Sequence, residues 1–275
     1  MDLSVIIVSW NVKAKLKVNL EALLKSSNIN FEIFVVDNAS TDGTAIMVAE
    51  EFKSVKLITN DKNLGFATAC NQAIKLSTGR YVLLLNPDMK VEPETLTEAL
   101  KWLDDNQQAA IAGIRLVDET QKNIAQVRNF PTVFDQFLVA SKLAHVFPWL
   151  LNNYLCSKFD YNKPAKVDSI RGSFFLIRRS TIDTIGLLDE KYFIWFEEVD
   201  YCRLAFSKGL EVWYTPAAKA IDYVGQSFKQ VDIKIKQTYV KASMLTYFQK
   251  WQPGWRVSIL RFGWFIGAML VKLIS

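Results

Sequence analysis

The sequence predicts an α/β fold: a mostly parallel central sheet flanked by helices, with further helices at the C-terminal end. Three observations carry this. Short, largely apolar runs such as Leu3–Val8, Phe31–Val36 and Tyr81–Leu85 recur through the first half, and such runs read as strands buried on both faces. Segments with apolar residues at helical spacing separate them, the alternation that a parallel sheet with crossover helices requires. The runs end in clusters of Asn, Asp, Pro, Ser or Gly, which stop strands and form turns.

Taken in order, Leu3–Val8 is a first strand, and Ser9 or Asn11 begins a helix carrying Leu16, Leu20, Leu23 and Leu24. Phe31–Val36 ends at Asp37, and Asp37 to Gly43 is a dense turn before a helix from Thr44 to Phe52. Val55–Thr59 is a short third strand. Asn63 to Phe66 turns into a helix that runs to Leu76. Tyr81–Leu85 is stopped by Asn86-Pro87-Asp88, because Pro87 cannot continue a central strand. A helix covers Pro93–Asn106 and a strand Ala109–Leu116. In the second half Val117–Arg128 suits a hairpin and the aromatic-rich Phe130–Asp160 is read as helical. A strand at Phe174–Ile177, a helix from near Glu197 and short strands at Val212–Tyr214 and Ala218–Tyr223 follow. A long helix spans Lys229–Lys250, Pro253-Gly254 breaks it, and an apolar segment runs from Trp255 to the end.

Several function classes are disfavoured. Cys70, Cys156 and Cys202 are far apart and form no CxxC, which argues against a zinc site or disulfide framework and fits a reducing compartment. The single histidine, His145, lies in an apolar segment and reads as packed or interfacial rather than as part of a triad or metal cluster. The N-terminus reads as a strand, not a signal peptide. GxGxxG and a P-loop are missing after the first strand, so a nucleotide must be held in another way. After Asp222 there are eight basic residues and one acidic residue, leaving 25 basic and 27 acidic in the first 222. A near-neutral body with a basic tail points to an anionic surface as the tail's partner; no nucleic acid is expected.

Four acidic clusters fall at strand ends or helix starts: Asp37 with Asp42; Asp88; Glu197, Glu198 and Asp200; and Asp222. Each has two readings. Asp37, Asp42 and Asp88 suit turns, the glutamates suit a helix N-terminus, and Asp200 suits a pair with Arg203 one turn along. Equally, Asp88 just past a strand's carboxyl end is where open α/β sheets bind ligands.

The chain resembles the family 2 glycosyltransferases, inverting enzymes with the GT-A fold, in their rhamnosyltransferase-like branch. The resemblance rests on SVIIVSWN (4–11), VVDNASTDGT (35–44), NLGFATACNQAI (63–74), LLLNPDM (83–89), IRGSFFLIRR (170–179), GLLDEKYFIWFEEVDYCRLAFSKG (186–209) and the strand-turn at 218–227, in matching order. It implies a catalytic domain over 1–227, with a nucleotide-sugar half at 1–116 and an acceptor half at 117–227, and a tail at 228–275. It implies a nucleotide-diphosphate sugar donor, rhamnose being the sugar the branch favours, and a glycan or lipid-linked acceptor in cell-surface polysaccharide synthesis. Ser9, Trp10 and Asp37 would line the base and ribose pocket. Asn38, Asn63, Gly65, Asn86 and Asp200 join the substrate-binding set, and Arg171 and Gly172, with Arg178 and Arg179 in the same motif, fall on the acceptor side. Asp88 would hold Mg²⁺ or Mn²⁺ on the diphosphate, as hard oxygen ligands do. Glu198, with Glu197 as second choice, would be the base taking a proton from the acceptor hydroxyl. The helix N-terminus would keep it ionised.

Two departures stand out. The branch often carries Asp at the Glu198 position, and a metal-binding histidine where this chain has Asp222. Aspartate is itself a hard ligand, so Asp222 is expected to complete the metal site. These departures also support the alternative, a catalytically inactive relative acting as a binding or scaffold subunit. A nucleotidyltransferase is a third reading, but its glycine- and arginine-rich phosphate loop is not seen near the first strand. In the tail, the uncharged run Phe262–Val271 is shorter than the about 20 residues a span needs. Arg261 and Lys272 share a helical face beside Trp255, Phe262, Trp264, Ile266 and Leu270. This suits a helix lying peripherally at the inner face of the cell membrane; packing on the domain or on a second subunit of a homo-oligomer is the alternative.

Overall fold

The computed structural model describes residues 1–223 and 231–274, with side chains as far as 270. The strand-turn residues 224–227, the start of the tail helix at 229–230, Lys272's side chain and Ser275 lie outside the described residues.

Three crossovers build the first half. Strands β1 (Leu3–Ser9), β2 (Phe31–Asp37), β3 (Lys56–Thr59) and β4 (Tyr81–Leu85) alternate with helices α1 (Lys13–Leu23), α2 (Thr44–Glu51) and α3 (Phe66–Leu76). All four strands are parallel, in the order β3-β2-β1-β4. The chain therefore leaves β1 on one side and returns for β4 on the other. The crevice beyond the carboxyl ends of β1 and β4 is the switch point where such sheets take ligands.

The second half extends the sheet with mixed polarity. β5 (Met89–Val91) precedes α4 (Thr95–Asp105), and β6 (Ala109–Val117), β10 (Phe174–Arg178) and β11 (Glu211–Asp222) complete the order β4-β10-β6-β11-β5. β10 is antiparallel to β4 and to β6, so the parallel part is mainly that of the first half. The two short strands expected near Val212 and Ala218 are one long β11, with a register shift between Thr215 and Lys219. β8 (Ala165–Val167) pairs with β11, and β7 (Val127–Arg128) with β9 (Ser169–Ile170) form a separate ladder. The 117–128 stretch closes only a Val117–Asn123 bridge.

The aromatic-rich segment is helical in part. α5 (Val133–Ala140) starts with a Thr132–Asp135 capping box, and two short 3-10 turns follow, leaving Phe147 and Trp149 exposed. His145 is exposed on the first of these turns. α6 (Arg179–Ile185) and α7 (Glu197–Ser207) precede β11, and the tail forms α8 (Ile233–Trp251) and α9 (Gly254–Ile274).

Apolar clusters fill both sides of the sheet, Leu16, Leu20 and Leu83 lying in one and Val36, Leu84 and Tyr201 in the other. A third joins Tyr192 to Met244, Tyr247, Val257 and Leu260, tying α8 and α9 to the body. α9 meets α5 through two glycines. A Cβ on Gly263 would lie 2.9 Å from the Phe137 ring, and one on Gly267 2.2 Å from the Ala140 carbonyl oxygen. At Gly267 the two helix backbones therefore touch, and at Gly263 the Phe137 ring fills the gap, as small residues permit. Among the described residues no helix is long and apolar enough to cross a membrane.

Candidate active site

The strand ends gather the polar residues. Ser9 and Asp37 face each other in the β1–β2 register, and both are buried. Ser9 Oγ and Asp37 Oδ1 have no hydrogen-bond partner among the described residues. Asp37 Oδ2 accepts from the Ser40 N–H at 3.0 Å, which holds the following turn. Unsatisfied buried polar atoms cost about 1–3 kcal/mol each, so their placement at the switch point marks a site for a polar ligand.

A pocket opens beside them, lined by Trp10, Asn38, Asn63 and Gly65 from the β1–α3 side and by Asn86, Pro87 and Asp88 after β4. Arg171, Gly172, Glu197 and Glu198 form the opposite wall. Asn38 Nδ2 donates to the Gly65 carbonyl at 3.2 Å, and Asn63 Oδ1 accepts from the Gly65 N–H at 3.0 Å. Gly65 has φ +86°, and a Cβ there would lie 2.6 Å from the Phe193 carbonyl oxygen. That carbonyl accepts from the Phe66 N–H at 2.7 Å. Only glycine allows the α3 start to grip the 193–196 loop this closely.

The same loop delivers the glutamates. Trp195 and Phe196 both have positive φ, 63° and 68°, a strained backbone for non-glycine residues of the kind found at functional sites. It turns the chain so that α7 begins at Glu197 with Glu197 and Glu198 facing the pocket. Glu197 Oε2 and Glu198 Oε2 are buried without a hydrogen-bond partner among the described residues. Burial first, then the neighbouring Glu198 charge, pushes the Glu197 carboxyl well above the usual range. Burial also raises Glu198, but the N–H groups at 198 and 199 and the Arg171 guanidinium pull it back. The sequence predicts that the helix N-terminus favours the ionised form; desolvation is the larger effect here and raises both carboxyls.

Asp88 and Asp222 converge from adjacent strands. Asp222 faces Met89 across the β11–β5 ladder, and the Tyr223 N–H donates to the Asp88 carbonyl at 3.1 Å. Both side chains are buried, and Arg171 Nη1 stands 3.7 Å from Asp222 Oδ2. Among the described residues no three metal-ligating side chains cluster. Two carboxylates completed by substrate phosphate oxygens are nevertheless a donor set that Mg²⁺ uses, so these residues fit a divalent cation.

Three expected residues face elsewhere. Asp200 accepts from Lys250 Nζ and Trp251 Nε1, both at 2.7 Å, so it clamps α7 to α8 instead of lining the pocket or pairing with Arg203. Arg178 donates to Tyr81 Oη at 2.9 Å and Arg179 to the Gly79 carbonyl at 3.1 Å. Because β10 is antiparallel to β4, Arg178 pairs with Tyr81 at the far end of the sheet. Sequence reasoning missed Phe193–Trp195, Ser173 and Asn19. Ser173 and Asn19 fix the backbone at the start of the 86–88 loop: Asn86 N–H donates to the Ser173 carbonyl and Asn19 Nδ2 to the Asn86 carbonyl, both at 3.0 Å.

A parallel sheet extended by antiparallel strands, with Asp88, Glu197 and Glu198 around one cleft at the strand ends, is a GT-A type fold. The family model for glycosyl transferase family 2 matches residues 4–186, and the chain belongs to that family. It is 24% identical over 271 residues to the N-acetylglucosaminyl-diphospho-decaprenol L-rhamnosyltransferase of Mycobacterium tuberculosis, a match covering 94% of this chain and 87% of that one. It is 27% identical over 164 residues to the rhamnosyltransferase WbbL of Escherichia coli, covering 59% of this chain and 60% of the other. Among solved structures it resembles the mannosyltransferase PcManGT of Pyrobaculum calidifontis in complex with GDP-Man and Mn²⁺. That likeness has a TM-score of 0.59 and 18% identity, covering 96% of this chain and 69% of the other. TarS of S. aureus gives a TM-score of 0.57 at 16% identity, covering 90% and 72%.

Proposed function

We propose that this glycosyltransferase moves a sugar, rhamnose or a close relative, from a nucleotide diphosphate to a hydroxyl of a lipid-diphosphate-linked glycan, inverting the anomeric centre. The observation that carries this is the buried Glu197–Glu198 pair facing Asn86-Pro87-Asp88 across one pocket. The names of the relatives supply the sugar and the acceptor class.

The residues divide the work. Ser9, Trp10, Asp37 and Asn38 take the base and ribose, with Asn63, Gly65 and Asn86 shaping the rest of the donor side. Glu198 removes the acceptor proton on the face opposite the leaving group. Glu197 stands beside it in the pocket wall as the second candidate for that role. Arg171 and Gly172 border the acceptor; Gly172 lies against Glu198, where an added Cβ would stand in ordinary contact, 3.6 Å from the Glu198 Cβ. Asp88 and Asp222 hold Mg²⁺ or Mn²⁺, which when bound offsets the charge that develops on the diphosphate. In this reading residues 1–116 serve the donor, 117–227 the acceptor, and the tail's exposed apolar residues touch the inner membrane face.

A second reading, an inactive binding subunit, draws on the Arg171–Asp222 pair, which occupies one proposed ligand. A panel of dTDP-, UDP- and GDP-sugars tested for binding and hydrolysis with Mg²⁺ or Mn²⁺ separates the two. Metal-dependent turnover of a deoxysugar nucleotide is the expected result. Binding without hydrolysis or transfer for every donor, with acceptor present, would favour the inactive subunit.

A further inference from the structure

A second cavity lies outside the active site, a groove of about 640 Å³. It falls within the rough 300–1,000 Å³ range of small-molecule sites. Phe130, Phe134 and Phe137 form one wall, and Trp255 and Ile259 at the start of α9 form the other. Two cations stand in these apolar walls. The Arg203 guanidinium lies 4.7 Å from the Phe130 ring centre, and that of Arg256 lies 5.2 Å from the Trp255 ring centre. Among the described residues neither arginine forms an ion pair. A groove of this kind fits an amphiphile with an anionic head, because guanidinium forks match phosphate oxygens while aromatic walls cover hydrocarbon.

The groove has an open apolar approach. Trp255, Ile259, Phe262, Phe265 and Met269 are 64, 37, 58, 61 and 49% exposed. They recur at three- and four-residue steps, so they form one outward stripe along α9. Its first two members are also groove wall. A hydrocarbon chain can pass from the stripe into the groove without crossing a polar barrier.

Two elements join the groove to the active site. α7 carries Glu198 in its first turn and Arg203 five residues on, about 7.5 Å along the axis. The β7–β9 ladder links them again. The Phe130 N–H donates to Asp168 Oδ2 at 2.8 Å, and Arg171 follows three residues after Asp168, about 10 Å of extended chain.

We propose that this groove binds the head-group end of an isoprenoid chain, with the diphosphate of a lipid-linked sugar acceptor on Arg203 and Arg256. This rests on the transferase reading given above and specifies its acceptor. The test is titration of farnesyl diphosphate into the full-length protein by calorimetry, with inorganic diphosphate and farnesol as controls. Farnesyl diphosphate is expected to bind more tightly than either control. Phe134→Asp and Arg256→Ala are each expected to weaken it about tenfold, with an unchanged melting temperature. Equal affinity in both variants overturns the proposal, as does farnesol binding as tightly as its diphosphate. Conversion of a dimer to a monomer by Phe134→Asp also overturns it, since the groove would then hold a second copy. Wild-type protein that binds farnesyl diphosphate but no nucleotide sugar sinks the transferase reading and leaves the groove assignment standing. Protein that turns over donor but ignores farnesyl diphosphate does the reverse.

Discussion

Two buried glutamate sites sit at opposite ends of the same sheet, and they differ in one respect. At the amino end, Glu32 on β2 accepts from Ser4 Oγ, Lys56 Nζ and the Thr78 N–H, each at 2.7 Å. Burial alone would raise its carboxyl, but these bonds outweigh burial and hold it down at about 2. At the carboxyl end, Glu197 and Glu198 each keep an oxygen without a partner, and burial pushes both upward. A satisfied buried carboxylate anchors the fold, whereas an unsatisfied pair in a cleft is held ready for a ligand.

Breaking each end should give opposite results. The largest effect is expected at Glu198: Glu198→Gln abolishes sugar transfer while donor binding, followed by calorimetry, survives. Near-normal turnover would remove Glu198 from the base role. Next comes Gly65→Ala, whose methyl group meets the Phe193 carbonyl and displaces the loop that presents the glutamates. A fall of about a hundredfold in kcat/KM is expected, of the size a 1 Å misplacement causes.

Glu32→Gln should leave transfer intact and cost about 2 kcal/mol at neutral pH, as loss of charge-assisted hydrogen bonds does, tempered by the solvent around Lys56. Its folded carboxyl is depressed, so this stability is present above the unfolded value of 4.5 and is lost as pH falls through about 2. Chemical unfolding of both proteins from pH 7 down to pH 2 should therefore show the gap closing. Glu197→Gln should do the reverse and raise the melting temperature at pH 7 by a few degrees. Its folded carboxyl is elevated, so ionisation at neutral pH opposes folding, and the gain should shrink toward pH 4. A lower melting temperature at pH 7 would show that Glu197 is satisfied after all.

The contrast also marks what the sequence could disclose. The parallel half was legible because apolar runs ending in Asp37 and Asn86-Pro87-Asp88 signal buried strands and turns without tertiary information. The direction of β10 was not, since FFLIR buries equally well either way; the motif resemblance puts Arg178 and Arg179 beside the cleft, and the antiparallel pairing takes them to the far end of the sheet. β5, three residues long, is below the length at which periodicity speaks. Asp88 and the glutamate pair were found by motif, but Asp200 was misjudged because its partner Lys250 lies fifty residues away. Nothing local announces the left-handed Trp195 and Phe196 that aim α7, and no sequence pattern weighs desolvation against a helix dipole.

The contact of Gly263 and Gly267 with α5 has a mechanical consequence. Gly267 sits directly on the Ala140 carbonyl and Gly263 on the Phe137 ring, so α9 cannot roll or slide against α5 without a collision. The outward aromatic stripe therefore keeps a fixed bearing and distance relative to Glu198. A surface on which the stripe rested, as in the reading proposed above, would set the height of the cleft above it. The protein would then favour acceptors by how far their hydroxyl stands from that surface, as well as by which sugar carries it.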